Sequence, residues 1–225
     1  MKTGRTEFQK VGRVNIFLHI IGVLLVKILG WKVESAPPTV PKYVVIIAPH
    51  TSYWDFPMAL FISWVYRMKG AWLGKAEIFS WPFPLNWFFR KVGGIPVYRN
   101  RNQGLVEQAV QVFHERDGLV LALAPEGTRA KVDYWKAGFY HIALKAGVPI
   151  ALGYLDFGRK AGGFGPLYYC TGDVEKDLAF IRDFFNTITP RHPERRSEVC
   201  FRPRGKDGNA ADGVAPSVPK AVGME

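Results

Sequence analysis

Cysteine is nearly missing from this chain: Cys170 and Cys200 are the only two in 225 residues. They make neither a CxxC nor a Cys/His set with metal-ligand spacing, so no metal framework organises the sequence. They read as free thiols of a reducing compartment, a pairing of the two being the lesser alternative. Acidic residues are scarce as well. The 19 Asp and Glu stand against 30 Lys and Arg, a net charge of +11. Such a surface seeks an anionic partner, whether nucleic acid, an anionic bilayer or an acidic carrier protein. A clean run of the roughly 20 apolar residues that a spanning helix needs is also lacking. The nearest approach, residues 14–31, is interrupted by Asn15, His19 and Lys27, and no small-residue cleavage site closes it. That pattern suits a helix lying in or dipping into one leaflet, with Lys10, Arg13, Lys27 and Lys32 turned to headgroups. An ordinary core helix is the alternative. There is no GxSxG elbow to supply a serine nucleophile. The glycine-rich stretch 158–165, with Arg159 and Lys160, fits neither a phosphate loop nor a dinucleotide fingerprint and reads as a mobile loop.

What is present argues for a folded α/β domain. Apolar residues make up 48% of the chain, enough to bury a core and exclude wholesale disorder. Seven Trp and 16 Phe among basic residues favour a membrane interface over nucleic acid, because rings sit at headgroup level while cations meet phosphate. Residues 43–48, 119–124 and 148–154 are continuous apolar runs, typical of strands buried on both faces. Between them, residues 104–116 carry Leu105, Ala109, Val112 and Phe113 on one helical face, and residues 135–146 end at Gly147. This alternation predicts a mostly parallel or mixed central sheet flanked by helices. Three units follow: an N-terminal membrane-associating helical segment over 1–36, a catalytic domain over 42–200 and a disordered tail over 202–225. Residues 78–89 place Phe79, Trp81, Phe83, Trp87 and Phe88 among prolines, either a broken core segment or an apolar lip for acyl chains or the bilayer.

The polar clusters follow the apolar strands, where open α/β sheets place their sites. The first strand runs into Pro49, His50, Thr51, Ser52, Tyr53, Trp54 and Asp55. Asp55 falls at the start of the next helix, where its carboxylate can return to the imidazole. A carboxylate on Nδ1 fixes the tautomer and leaves Nε2 free to take a proton. Ser52 lies too close to His50 on the same turn to serve as its nucleophile and is better placed to cap the helix. A His–Asp pair without a nucleophile suits deprotonation of a hydroxyl that the substrate brings. The second strand ends in Pro125, Glu126, Gly127, Thr128 and Arg129. Either Glu126 and Arg129 pair across this turn, or the turn faces an anion with backbone N–H groups and a guanidinium fork. Residues 93–99 close a short strand with another cation, Arg99.

In identity, order and spacing these pieces resemble the glycerolipid acyltransferase family, which includes 1-acyl-glycerol-3-phosphate acyltransferases. His50 and Asp55 match its His-x4-Asp block. Lys75 in the Gly74–Glu77 stretch, and then the Gly93 to Arg99 segment, resemble its second region. The Pro125 to Arg129 turn matches its Pro-Glu-Gly-Thr-Arg block, with Lys136 and Gly138 following, and Val148 to Ile150 resembles its last block. The resemblance implies that His50 activates the acceptor hydroxyl, oriented by Asp55. It implies that Glu126, Gly127, Thr128, Arg129 and Arg99, with Lys75 and Lys136, hold the acceptor's anionic head. The implied donor is acyl-CoA or acyl carrier protein, with no metal or other cofactor. The implied acceptor is 1-acyl-glycerol-3-phosphate, at the cytoplasmic face of the inner membrane if the cell is bacterial. Pro49 and Tyr98 depart from the family's usual residues, which leaves a lyso-amino-acid lipid or another lysophospholipid as an alternative acceptor. A non-catalytic lipid-binding module is the alternative from another class. Nucleic acid is not an expected partner.

Overall fold

The computed structural model describes residues 13–97 and 104–203. Its centre is built from the three continuous apolar runs, β2 (Lys42–Ile47), β5 (Leu119–Leu123) and β6 (Ile150–Asp156), whose side chains alternate onto two covered faces. With β1 (Lys32–Glu34), β3 (Ala71–Lys75), β4 (Gly94–Val97) and β7 (Ala161–Tyr168) they form one sheet in the order β1-β7-β6-β2-β5-β3-β4. The β6–β7 pairing is antiparallel and the others are parallel. The mixed sheet flanked by helices is the fold class that the alternation predicts.

The glycine-rich stretch expected to be a mobile loop is instead largely β7. Its glycines make room for neighbouring chain. A Cβ at Gly163 would lie 1.9 Å from the carbonyl oxygen of Glu34 in β1, and one at Gly165 would lie 2.3 Å from the Phe184 ring.

The two faces of the sheet are covered differently. On one, Val44, Ile46, Leu121, Ile150 and Leu152 pack with α4 (Leu105–Glu115), α5 (Gly138–Ala146) and α6 (Val174–Asn186) in a continuous buried cluster. The other face presents Val45, Val120, Ala122 and Gly153 beneath α1 (Ile16–Ile28) and α2 (Asp55–Val65), with α3 (Leu85–Lys91) alongside. These small side chains do not fill the space below α2, and a large cavity remains.

Of the segment expected over 1–36, residues 13–36 are described, and they pack onto the sheet and α2. β1 joins the sheet beside β7, and α1 lies directly on α2. A Cβ at Gly22 would meet Trp64 Cβ at 2.8 Å and the Phe61 carbonyl oxygen at 2.9 Å. His19 Nδ1 sits 3.0 Å from the Val65 carbonyl oxygen and 3.3 Å from that of Trp64, capping the C-terminal end of α2. α1 itself is capped by Asn15, whose side chain accepts the Leu18 N–H at 2.9 Å. Its outer face leaves Ile16, Phe17, Ile20, Ile21, Val23, Leu24 and Ile28 exposed. No helix among the described residues is long and apolar enough to cross a membrane. At the other end, Trp135 N–H donates to the Cys200 carbonyl at 2.8 Å, so the packed domain reaches past residue 200. Apart from residues 202 and 203, the expected tail lies outside the described residues.

Candidate active site

β2 delivers His50 to the C-terminal edge of the sheet, and the turn after it closes on Asp55, the first residue of α2. Asp55 is 3% exposed. Its Oδ2 accepts from His50 Nδ1, Thr51 N and Ser52 N, each at 2.9 Å. Two backbone N–H groups and the imidazole thus converge on one carboxylate oxygen at the N-terminal end of α2. An ionised carboxylate can only accept, so the Nδ1 proton belongs to the imidazole and Nε2 is left as its basic site. The capping box expected at Ser52 is half formed. Asp55 returns to the Ser52 N–H, but Ser52 Oγ accepts from Trp54 N at 3.1 Å rather than from Asp55 N.

The turn after β5 lies against this loop, and Glu126, expected from the motif to help hold the acceptor's head, points inward from it. Its carboxylate is 3% exposed and turned inward, with Oε1 accepting the His50 backbone N–H at 2.9 Å. Burial holds the Glu126 carboxyl above the usual carboxylate range, against the opposing pull of that N–H. Glu126 therefore supports the His50 turn. It forms no ion pair with Arg129 among the described residues.

The rest of that turn does face outward. Gly127 has φ +67°, a left-handed conformation suited to glycine, and a Cβ there would lie 2.9 Å from Lys136 Cε. Lys136 is thus brought over the turn. Thr128 and Arg129 line the cavity together with His50, and the Arg129 guanidinium lies 3.8 Å from the centre of the exposed Tyr53 ring. Lys75 closes β3. Arg99 and Tyr98 lie outside the described residues.

The cavity measures about 1310 Å³, above the usual ~300–1,000 Å³ of small-ligand sites. It starts at His50 and Asp55 and runs between the sheet floor and α2, past Phe56, Ala59 and Leu60, to Met68 and Gly70. Trp87, Phe88 and Phe89 of α3 form part of its wall. Residues 78–89 divide accordingly: Phe79 is core, whereas Trp81, Phe83, Trp87 and Phe88 are exposed, an apolar lip rather than a broken core segment.

One neighbour of the site carried no motif. Residues 189–192 fold back over the His50 turn, with Thr189 O accepting from Phe157 N at 2.8 Å and His192 N donating to Thr51 Oγ1 at 3.2 Å. This brings the Arg191 guanidinium to 5.7 Å from the ring centres of Trp54 and Phe157. Nothing local in the sequence links Arg191 to a turn some 140 residues earlier, so no signal there points to it.

Residues 33–151 match the family model described as Acyltransferase. Among solved structures, the chain is similar to the 1-acyl-sn-glycerophosphate (LPA) acyltransferase PlsC from Thermotoga maritima. The TM-score is 0.55 and the identity 20%, with 76% of each chain covered. That likeness is one of fold. Comparison with curated proteins finds no match.

Proposed function

Because the chain belongs to the acyltransferase family and is an acyltransferase, we propose that it acylates a lysolipid, 1-acyl-glycerol-3-phosphate, to give phosphatidate. The donor is a fatty acyl thioester of coenzyme A or of an acyl carrier protein. The observation that carries this reading is a His50–Asp55 pair opening onto a large, mostly apolar cavity. The cavity suits a fatty chain, and the pair sits where the chain's carbonyl would end.

His50 Nε2 takes the proton of the acceptor hydroxyl as its oxygen attacks the thioester carbonyl carbon. The tetrahedral intermediate then breaks its C–S bond, and the thiolate leaves with the proton that His50 returns. No acyl-enzyme forms. Asp55 holds the tautomer and stabilises the imidazolium between the two proton transfers. The acceptor's phosphate lies against Arg129, Thr128 and the Gly127 turn with Lys136, and by motif with Arg99 and Lys75. Exposed apolar residues on α1 and the α3 lip, with Lys91 at 5.6 Å over the Trp87 ring, support work at a membrane surface.

The test is transfer of radiolabelled acyl groups from acyl-CoA and acyl carrier protein to a panel of lysolipids, with His50→Ala beside wild type. Label in phosphatidate, reduced about 10³-fold or more in the variant, is expected. Label confined to another lysolipid, such as a lyso-amino-acid lipid, would replace the acceptor. No transfer by folded, membrane-bound protein would overturn the reading.

A further inference from the structure

Two consecutive aromatic residues lie between His50 and Asp55, and each carries an arginine from a distant segment. Arg129 lies 3.8 Å from the centre of the Tyr53 ring and lines the cavity. Arg191 lies over Trp54 and Phe157 and is not among the residues that line it. Neither guanidinium is paired with a carboxylate among the described residues. A guanidinium resting on an aromatic face loses side-chain freedom in advance while its N–H fork stays available to an oxyanion. The backbone beneath Arg191 is anchored too, by the His192 N–H on the buried Thr51 hydroxyl, one residue from the catalytic histidine.

Each substrate of the reaction carries a phosphate. One belongs to the lysolipid head, close to the reacting hydroxyl. The other belongs to the donor, at the far end of the pantetheine arm from the thioester and so outside the cavity, in coenzyme A and in a carrier protein alike. With Arg129 engaged at the cavity mouth, a second, separately mounted cation beside the same turn answers to the second phosphate. We infer that Arg191, held on Trp54 and Phe157, binds the pantetheine phosphate of the acyl donor and sets the direction from which the thioester reaches His50. This rests on the proposed thioester-dependent acylation.

The experiment compares wild type, Arg191→Gln and Arg191→Lys as full-length protein on lipid vesicles. The donors are acyl-CoA, acyl carrier protein and S-acyl-pantetheine, which lacks the phosphate. Wild type should prefer both phosphorylated donors. In Arg191→Gln that preference in kcat/KM should shrink by about 10- to 100-fold through the donor KM, the size expected for a charge-assisted hydrogen bond. The KM for the lysolipid should not move, and Arg191→Lys should keep part of the preference. Equal losses on all three donors would mark Arg191 as a structural support and overturn the inference. So would a shift in the lysolipid KM, and a loss confined to the carrier-protein donor would assign the cation to an acidic protein surface instead. Calorimetric binding of coenzyme A itself separates this from the functional reading. A Kd about 10- to 100-fold weaker in Arg191→Gln supports the site even if no lysolipid tried is acylated. Equal binding by both proteins, or binding by neither, overturns it.

Discussion

Asp55 and Asp177 are both buried, both in the first turn of a helix, and both take backbone N–H groups from the turn before it. They differ in how completely they are satisfied. Asp177 is met on both oxygens, by the hydroxyls of Tyr140, Tyr168 and Thr171 and by the N–H groups of Thr171 and Gly172. It joins β7, α5 and α6 into one block. Asp55 takes all three of its hydrogen bonds on Oδ2, and Oδ1 has no partner among the described residues. Beside it, Glu126 uses Oε1 for the His50 N–H, and its Oε2 is likewise unpartnered. Unsatisfied buried oxygens cost stability. Here they occur at the His50 turn and not in the structural hub, so the region to which the proposed function assigns the chemistry is the one where local rules of satisfaction are relaxed.

The same substitution at the two aspartates sharpens this contrast. Asp55→Asn removes the negative charge that stabilises the His50 imidazolium and lets an amide N–H turn to Nδ1 and favour the other tautomer, and acyl transfer should fall by about 10³-fold or more, roughly 4 kcal/mol of transition-state stabilisation. Its thermal unfolding should change little, and a loss of folding there would break the comparison. Asp177→Asn should do the reverse, costing about 2–4 kcal/mol of stability while turnover per folded molecule persists. The Asp177 carboxyl is held below the usual range: burial alone would raise it, but the hydrogen bonds from Tyr168, Thr171 and Tyr140 outweigh burial. A lowered folded-state value means that its stabilisation is complete above the unfolded-state value. It is lost as pH falls through the folded-state value. The variant should therefore show a flatter acid limb in denaturant melts taken as a function of pH.

Glu126→Gln is the smallest change. The amide oxygen can still accept the His50 N–H, so activity should stay within about tenfold, roughly 1 kcal/mol. Because the Glu126 carboxyl is raised by burial, wild type binds more protons when folded. Its stability falls as pH rises through that raised value. The glutamine protein should lack this loss and gain relative stability toward alkaline pH, measured by paired melts at acid and alkaline pH. Equal melts at both ends would show that the carboxyl is not the buried acid described.

The parts legible from sequence were those that obey local patterns. β2, β5 and β6 are read directly because strands buried on both faces must be continuously apolar. β7 is not, because its glycines answer to Glu34 and Phe184, far away in sequence. At the site, His50 and Asp55 lie five residues apart on one turn, so their contact follows from spacing. The inward set of Glu126, 76 residues from His50, and the return of His192 to Thr51 across 141 residues depend on packing between separate elements. The cavity is an absence of bulk below α2, which no single residue announces.

Gly22 carries a mechanical consequence. With no side chain there, α1 rests on the backbone of α2, and His19 fastens the far end of α2 to it. The same α2 begins with Asp55. The apolar stripe of α1 and the His50–Asp55 pair thus ride on one stiff beam. From Trp64, where α1 bears, to Asp55 is about 13 Å along its axis. On the proposed reading, a lipid surface supporting that stripe would meet His50 at a constant altitude, and an acceptor would be selected partly by how far its hydroxyl stands above the plane in which it floats.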